Sequence, residues 1–255
     1  MDTKTTTVLI TGAASGMGRL ATERALARGQ RVLAWDVDET ALASLPQAPG
    51  LHRARVDVRD HAAVAAAVEQ AEAELGPIDE AWHAAAIMPL GLALEQSAEL
   101  QRRIMDINYG GLVNLAQTVG RRMQARDRGT LVSFASLAGW IPAIYISAYN
   151  ASKFACVAYT EVLAHELRDS GVHVVCVCPP MVATPLLDQA RDTVWPKLFD
   201  LWPPLEPAKV LDAVDRAIAK RRLWVFPGPL TRISLWLRRW LPGFSWWIAH
   251  RVEGR

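Results

Sequence analysis

A tyrosine and a lysine four residues apart are the pair in this sequence best placed to move a proton. Tyr149 and Lys153 lie in the segment YNASKF, within a stretch of helical character, so their side chains would share one helical face. A phenol alone is a poor acid and a poor base near neutrality, but a neighbouring ammonium stabilises the phenolate. The pair predicts a general acid–base site; the alternative is that Tyr149 packs and Lys153 is solvated.

A glycine-rich segment, TGAASGMG, separates the first strand from the first helix. Glycines spaced as G-x-x-x-G-x-G, at Gly12, Gly16 and Gly18, allow a tight turn and a close approach of the backbone to a pyrophosphate at a helix N-terminus. The motif alone is a weak signal, and a simple turn is the alternative. Its position between a strand and a helix favours a dinucleotide site.

The second strand ends in Asp36, which points to the choice of dinucleotide. A carboxylate there accepts hydrogen bonds from an adenosine ribose and repels a 2′-phosphate, and neither Val37 nor Ser15 supplies a cation. We therefore expect NAD(H) rather than NADP(H). The alternative is that Asp36 begins the DVDET turn and caps a helix.

Short apolar strands alternate with helical segments along most of the chain. Apolar strands alternating with helices favour a parallel sheet covered on both faces, which is a Rossmann-like, doubly wound α/β fold in one domain spanning residues 1–255. The predicted strands are TVLITG, RVLAWD, RARVDV, IDEAWHAAA, GTLVSFAS and VHVVCVCPP, and the clearest helices are MGRLATERALARGQ, RDHAAVAAAVEQAEAELG and AYNASKFACVAYTEVLAHELRDSG.

From about Val8 to about Thr184 the sequence resembles the short-chain dehydrogenase/reductase family in its classical form. The resemblance rests on TGAASGMG, on Asp36, on the Y-x-x-x-K pair of YNASKF, on a serine thirteen residues before the tyrosine in SFASLAG, and on MDINYGG. Each motif is modest alone, but five in order at the family's spacing are specific. The resemblance implies an oxidoreductase that transfers hydride between a nicotinamide cofactor and an alcohol or ketone.

The resemblance also implies roles for individual residues. Tyr149 becomes the general acid or base, Lys153 assists it and holds the nicotinamide ribose, and Ser136 binds the reacting oxygen. Asn108 kinks its helix and holds a water linked to Lys153. Positions matching the family's NAD contacts are Gly12, Ser15, Gly16, Met17, Gly18, Asp36, Asp57, Val58, Ala85, Tyr149, Lys153, Pro179, Val182 and Thr184.

Two positions depart from the family pattern. The usual N-N-A-G is His83-Ala84-Ala85-Ala86 here, and we interpret His83 as a hydrogen-bonded histidine at a strand end rather than a ligand or acid. Pro180 replaces a glycine and stiffens the loop expected beside the nicotinamide. Neither change removes a catalytic group, so both bear on cofactor affinity.

Residues 185–207 match the family's mobile substrate lid and carry many apolar side chains. Such a lid favours a bulky apolar alcohol or ketone of steroid, terpenoid or long-chain type; the alternative is that these residues pack on the sheet or on another subunit. The candidate substrate contacts are Leu186, Trp195, Phe199 and Trp202, with Trp140 assigned either to the pocket wall or to the core.

The C-terminal extension, residues 223–255, has a different composition from the rest of the chain. From Lys220 onward there are eight Lys or Arg residues and one acid, Glu253, and half of the ten tryptophans lie there. Apolar residues recur at helical spacing and are interrupted at Pro242-Gly243. The arginines and this break exclude a membrane span and leave three roles open: peripheral membrane contact, a subunit contact, or a second flap over the substrate.

The remaining predictions concern metals, localisation, partners and function. Three cysteines give no disulfide or zinc framework, so no metal is expected, and no signal peptide is apparent, so we expect a cytoplasmic protein. No motif favours nucleic acid. The resemblance implies a homodimer or homotetramer. The leading hypothesis is an NAD-dependent dehydrogenase of a secondary alcohol; the alternatives are an NADPH-dependent carbonyl reductase and a non-enzymatic dinucleotide-sensing or membrane-associated protein on the same fold.

Overall fold

The computed structural model describes residues 5–255, without the side chain of Leu230. A seven-stranded, all-parallel sheet has the order β3-β2-β1-β4-β5-β6-β7 and carries helices on both faces, which confirms the doubly wound prediction. The strands are β1 (Thr7–Thr11), β2 (Arg31–Asp36), β3 (Leu51–Arg55), β4 (Glu80–His83), β5 (Gly129–Phe134), β6 (Val172–Val177) and β7 (Trp224–Val225).

Eleven α-helices are present in the part of the chain that the structure describes. They are α1 (Gly16–Ala27), α2 (Glu39–Ala43), α3 (His61–Leu75), α4 (Ala98–Met105), α5 (Gly111–Leu115), α6 (Arg121–Ala125), α7 (Ser147–Glu166), α8 (Leu186–Arg191), α9 (Pro207–Ala219), α10 (Pro229–Trp240) and α11 (Pro242–Glu253). Two π-helical turns, Asp106–Gly110 and Ala116–Gly120, join α4, α5 and α6 into one long helix.

Strand side chains alternate between two hydrophobic layers, one on each face of the sheet. Val8 and Ile10 of β1 pack with α1 and α9, whereas Leu9 packs with residues of α3, α5 and α6 on the opposite face. Both faces are therefore buried, which explains why the strands are apolar at nearly every position. This packing aligns the carboxyl ends of the strands along one edge, where ligands bind in such folds.

The structure differs from the sequence prediction at two strands. The third strand was predicted as RARVDV but ends at Arg55, because the Asp57 side chain accepts a hydrogen bond from the Arg59 amide and turns the chain. The seventh strand, Trp224–Val225, was not predicted: two residues carry no periodicity, and only pairing with Cys176 and Val177 makes them a strand.

His83, at the end of β4, is almost completely buried and connects three parts of the fold. Its Nδ1 lies 3.1 Å from Thr11 Oγ1 and its Nε2 lies 3.2 Å from the Asn108 carbonyl oxygen. The carbonyl can only accept, so Nε2 carries the proton and Nδ1 accepts from the threonine. The structure thus places His83 as a hydrogen-bonded strand-end histidine, as the sequence indicated.

Burial and the nearby positive charge of Lys153 lower the pKa of His83 to about 3. Because the folded-state pKa lies below the unfolded value of 6.5, the unfolded state binds more protons and stability is lost as the pH falls below 6.5. We predict that the free energy of unfolding of H83N falls less steeply with acid than that of the wild type, by up to about 1.4 kcal/mol per pH unit. Denaturant titrations between neutral and acid pH measure both slopes. Equal slopes would contradict a neutral, buried imidazole.

Candidate active site

The glycine-rich loop forms a narrow cradle before α1. Gly12 and Gly16 have φ of +65° and +51°, and a Cβ on Gly12 would lie 2.7 Å from the Ala85 backbone. A Cβ on Gly18 would lie 2.1 Å from the Gly12 carbonyl oxygen, so Gly18 serves close packing of the loop on α1. Helix α1 begins at Gly16, so the N–H groups of its first turn face its N-terminal end, where the glycine-rich loop lies. A pyrophosphate would bind at that end.

Asp36 fixes the cradle from the end of β2. One carboxylate oxygen accepts from the Ala14 amide at 3.0 Å and the other accepts from the amides of Val37 and Asp38. The cap of α2 is Asp38, whose side chain accepts from the Ala41 amide, so the helix-capping alternative does not describe Asp36. Asp36 lines the cavity and its carboxylate can accept further hydrogen bonds there.

The far end of the cradle is formed after β3. The Asp57 carboxylate binds the Arg59 guanidinium at 2.6 Å, and this partner lowers the pKa of Asp57. The backbone at Val58 is held by the Asn114 side chain, which donates to its carbonyl at 2.8 Å. The amide of Ala85 donates to Thr11 Oγ1 at 3.4 Å, which ties the loop after β4 to β1. Asp57, Val58 and Ala85 all line the cavity.

Tyr149 and Lys153 lie one turn apart on α7, and both are buried on the cavity wall. The Lys153 Nζ lies 5.6 Å from the centre of the Tyr149 ring and donates to the Phe134 carbonyl oxygen at 2.8 Å. Within residues 5–255, Lys153 forms no ion pair with a carboxylate. A buried ammonium with one protein acceptor keeps donors for hydroxyl groups of a ligand, such as those of a ribose.

Asn108 lies at the centre of the first π-helical turn and is fully buried. Its side-chain amide donates to the Ile87 carbonyl and to Ser152 Oγ, at 3.1 and 3.0 Å, and its Oδ1 accepts from the Ile87 amide at 2.9 Å. The side chain therefore joins the loop after β4 to α7. Asn108 thus lies in a π-helical turn, whereas the kink and the water linked to Lys153 that the family resemblance implies stay predictions.

Ser136 follows β5 and faces the same cavity. Its Oγ accepts from the Ala138 amide at 3.0 Å and caps the short 3-10 turn Leu137–Gly139. It also donates to the Pro179 carbonyl at 3.5 Å, a long bond that leaves the hydroxyl hydrogen available to a better acceptor. The structure therefore brings Ser136, Tyr149 and Lys153 to one cavity, and Asn108 is bonded to α7 through Ser152.

The loop after β6 closes the cavity beside the glycine cradle. Pro179, Val182 and Thr184 line it, and the Thr184 hydroxyl donates to the Val182 carbonyl at 3.4 Å. A Cβ on Gly16 would lie 3.4 Å from the Thr184 Cβ, so this loop touches the cradle. Met17 and Ser15 line the same space. The residues predicted to bind NAD thus surround one continuous cavity, except Gly18, which packs behind it.

The cavity has a volume of about 920 Å³ and runs from the glycine cradle to the C-terminal helices. Three of the predicted substrate residues, Leu186, Phe199 and Trp202, line its apolar end. In the loop after β4 the sequence identified Ala85 but not the residues beyond it, and it did not identify the individual cavity residues on the two terminal helices. The additional lining residues there are Ile87, Met88, Ser234, Leu237, Arg238, Ser245, Trp246, Ile248 and Ala249.

Two predicted substrate residues do not line the cavity: Trp195, whose assignment is corrected, and Trp140, for which the core alternative holds. The Trp140 ring packs against Trp224 and Phe226, and its Nε1 donates to Cys178 Sγ at 3.4 Å, so Trp140 belongs to the core. Trp195 does not line the cavity: its Nε1 donates to Asp200 at 2.8 Å and its ring packs edge-on against Phe199. Trp195 therefore supports the lid segment rather than facing its inner side.

Glu253 connects the end of the chain to the lid. Its carboxylate accepts from the amides of Lys197 and Leu198, at 3.3 and 2.9 Å, which start the short 3-10 helix Lys197–Leu201. Helix α11 is thereby fixed against the lid while other residues of α10 and α11 line the cavity. This arrangement supports the second-flap role, one of three that the sequence left open for the extension.

Comparisons with known proteins agree with this geometry. The chain is 35% identical over 183 residues to the 2-dehydro-3-deoxy-L-rhamnonate dehydrogenase (NAD(+)) of a Sphingomonas species, covering 71% of this chain and 74% of that one. It is 30% identical over 248 residues to mouse 17-beta-hydroxysteroid dehydrogenase 13, covering 94% and 79%. A short-chain dehydrogenase/reductase from Burkholderia phymatum, solved with NAD, superposes with a TM-score of 0.85 at 26% identity, covering 96% of each chain.

A family model described as short chain dehydrogenase matches residues 6–195, most of the chain. Together with the parallel sheet, the glycine cradle and the Ser136–Tyr149–Lys153 wall, this match shows what the molecule is: the chain belongs to the short-chain dehydrogenase/reductase family, as an oxidoreductase that acts on alcohols and uses a nicotinamide dinucleotide.

Proposed function

We propose that the protein is an NAD(H)-dependent dehydrogenase that interconverts a bulky, apolar secondary alcohol and its ketone. The observation that carries the proposal is the buried Lys153 ammonium, which lies one helical turn from Tyr149 on the wall of a largely apolar cavity. The glycine cradle, Asp36 and Lys153 would hold a nicotinamide dinucleotide, whose chemistry would be hydride transfer. The residues of the chain orient the two reactants, exclude water and move the proton.

In alcohol oxidation the Tyr149 phenolate oxygen takes the hydroxyl proton of the substrate, and in reduction the phenol returns it. The Lys153 charge stabilises the phenolate electrostatically, since burial limits its screening by water. The Ser136 hydroxyl turns from the distant Pro179 carbonyl to donate to the substrate oxygen, which stabilises negative charge developing there. Asn108 positions α7 through Ser152 and touches neither reactant.

The preference for NAD(H) rests on charges at the adenosine end. Asp36 places a carboxylate where a 2′-phosphate would need a cation, and the adjacent Val37 is apolar. NADP(H) is the second candidate, because Arg55 and Arg59 also line this end of the cavity. Arg59 is already paired with Asp57, which reduces its attraction for a phosphate, so we favour NAD(H).

The substrate class rests on the apolar end of the cavity. Leu186, Phe199 and Trp202 face it, whereas the related proteins named above act on a sugar acid or carry a hydroxysteroid name. Proteins of one fold act on widely different substrates, so the substrate class must be inferred from the side chains that line this cavity. An apolar lining favours an apolar alcohol through the hydrophobic effect.

Replacing Tyr149 with Phe removes the proton-transfer group and keeps the ring. We expect kcat/KM to fall by at least about a hundredfold, since general acid–base catalysis contributes on the order of 10²–10⁴, with NAD affinity within a few-fold of wild type. Absorbance at 340 nm and isothermal titration measure the two quantities. Tyr159→Phe, on the same helix but packed against Tyr109, is the matched control and should retain activity. Unchanged turnover in Y149F would refute the mechanism.

The cofactor preference is tested by the double substitution D36N/V37R. Asparagine preserves the shape at Asp36 while removing its charge, and arginine adds a cation for a 2′-phosphate. We expect the ratio of kcat/KM for NAD over NADP to fall by at least about tenfold, corresponding to about 1.4 kcal/mol. V37L is the control for bulk at the exposed position. A wild-type enzyme that favours NADP would assign the carbonyl-reductase function instead.

The substrate class is tested with secondary alcohols that range from small aliphatic compounds to steroids. We expect NAD reduction to be fastest with bulky apolar alcohols, and W202A to raise KM for those alcohols with little change for small ones, because the ring contributes buried area only to large ligands. Turnover limited to small polar alcohols would contradict the apolar assignment. Tight NAD binding without any turnover would favour the dinucleotide sensor.

A further inference from the structure

Helices α10 and α11 carry two different surfaces. One surface belongs to the cavity: Leu237 and Arg238 of α10 and Trp246 and Ala249 of α11 line it. The Arg238 guanidinium lies 5.9 Å from the centre of the Trp246 ring, which links the two helices on this side. The other surface faces away from the cavity, and the reaction proposed above does not use it.

That outer surface is aromatic and exposed. Ile233, Trp236 and Trp240 follow a spacing of three and four residues along α10, so they form one stripe, and their exposure is 59–66%. Beyond α10, Leu241 is exposed, and on α11 Phe244 and Trp247 stack on each other at 5.6 Å between ring centres and are also exposed. We call this set the aromatic stripe: Ile233, Trp236, Trp240, Leu241, Phe244 and Trp247.

Arginines border the aromatic stripe. Arg232 and Arg239 are exposed, lie seven residues apart on one side of α10, and are each within one turn of Trp236. Arg251 lies one turn beyond Trp247 on α11. Across residues 5–255, no carboxylate lies within ion-pair distance of these three arginines. The single acid after residue 219, Glu253, is buried against the lid segment.

We propose that the aromatic stripe docks the protein onto the surface of an anionic lipid bilayer. Indole rings favour the headgroup region, where an apolar body and a polar N–H are both accommodated, and bordering arginines are attracted to anionic headgroups. None of the helices in the described part of the chain is long and apolar enough to cross a bilayer. The contact is therefore interfacial, with the two helices lying along the surface.

Charge argues against a second copy of this chain as the occupant. In a two-fold contact centred on the aromatic stripe, Arg232 and Arg239 would approach the same arginines of the partner, with no exposed acid on these helices to compensate. An anionic membrane has the complementary charge. The cavity reaches the inner side of the same helices, so docking would also bring the apolar end of the cavity close to the lipid.

The proposal is tested by co-sedimentation of the full chain with phosphatidylcholine vesicles that contain or lack phosphatidylglycerol. We expect binding to the anionic vesicles at about 0.1 M salt, weaker binding to neutral vesicles, and release from anionic vesicles as salt is raised. Absence of sedimentation with both vesicles would overturn the proposal. Equal binding to both would also overturn it, since the arginines would then have no role.

Two variants address the two parts of the surface. W236S/W240S removes exposed rings, and R232E/R239E reverses two charges; each should lower the partition coefficient on anionic vesicles by at least about tenfold. R168E/K209E reverses two exposed charges elsewhere and is the matched control, expected to bind as wild type. Thermal unfolding of all variants checks that they fold. Wild-type binding by both test variants would refute the proposal.

Light scattering after size-exclusion chromatography tests the remaining alternative, that the aromatic stripe joins copies of this chain. If W236S/W240S lowers the oligomeric state while neither it nor the wild type binds vesicles, the aromatic stripe is a contact between copies of this chain and the membrane proposal is wrong. An unchanged oligomeric state together with lost vesicle binding supports the membrane as the occupant.

Discussion

The site depends on the hydrogen bonds of one buried amide, that of Asn108. Its side chain holds both the amide and the carbonyl of Ile87 and donates to Ser152, so the loop after β4 and helix α7 meet at a single residue. Buried polar groups must find partners, which leaves few other arrangements for these three segments. Because Tyr149 and Lys153 project from α7, the position of the pair proposed to transfer the proton follows from this contact.

The π-helical turn also contributes its backbone to this network. The Asn108 carbonyl oxygen accepts from His83 Nε2, and Cys156 Sγ on α7 also donates to it at 3.2 Å. A carbonyl oxygen has two lone pairs, so it can accept both bonds. His83 replaces the family's usual asparagine here and still completes a chain of bonds from Thr11 to the helix that carries Asn108.

Charge is distributed unevenly along the cavity. The cofactor end holds the glycine-cradle amides, Asp36 and the Asp57–Arg59 pair, whereas the lid end is lined mainly by apolar side chains. Lys153 lies between them as a buried cation, and its field helps to keep the adjacent His83 neutral. A polar, anion-binding end next to an apolar end is the arrangement that a dinucleotide and an apolar alcohol would together require.

Much of the fold and most of the site could be predicted from the sequence. Alternating apolar strands and helices specify the doubly wound sheet because each element is recognised from local periodicity, and closely spaced motifs such as TGAASGMG and YNASKF keep their geometry on a single turn or helix. The break in the C-terminal helical pattern at Pro242-Gly243 was also predicted from local sequence. The structure confirms it, because α10 ends at Trp240 and α11 begins at Pro242. Residues 1–4, part of the predicted N-terminal domain boundary, lie outside the described residues.

Residues whose neighbours are distant in the chain could not be placed from the sequence. Trp140 and Trp202 are chemically alike, yet one contacts Cys178, Trp224 and Phe226 in the core and the other lines the cavity. Glu253 binds the lid more than fifty residues away, and β7 exists only because β6 offers it hydrogen-bond partners. Residue type and local spacing determined which chemistry this chain can perform; long-range packing determined which side chains surround it, because side-chain burial depends on contacts that no local pattern encodes.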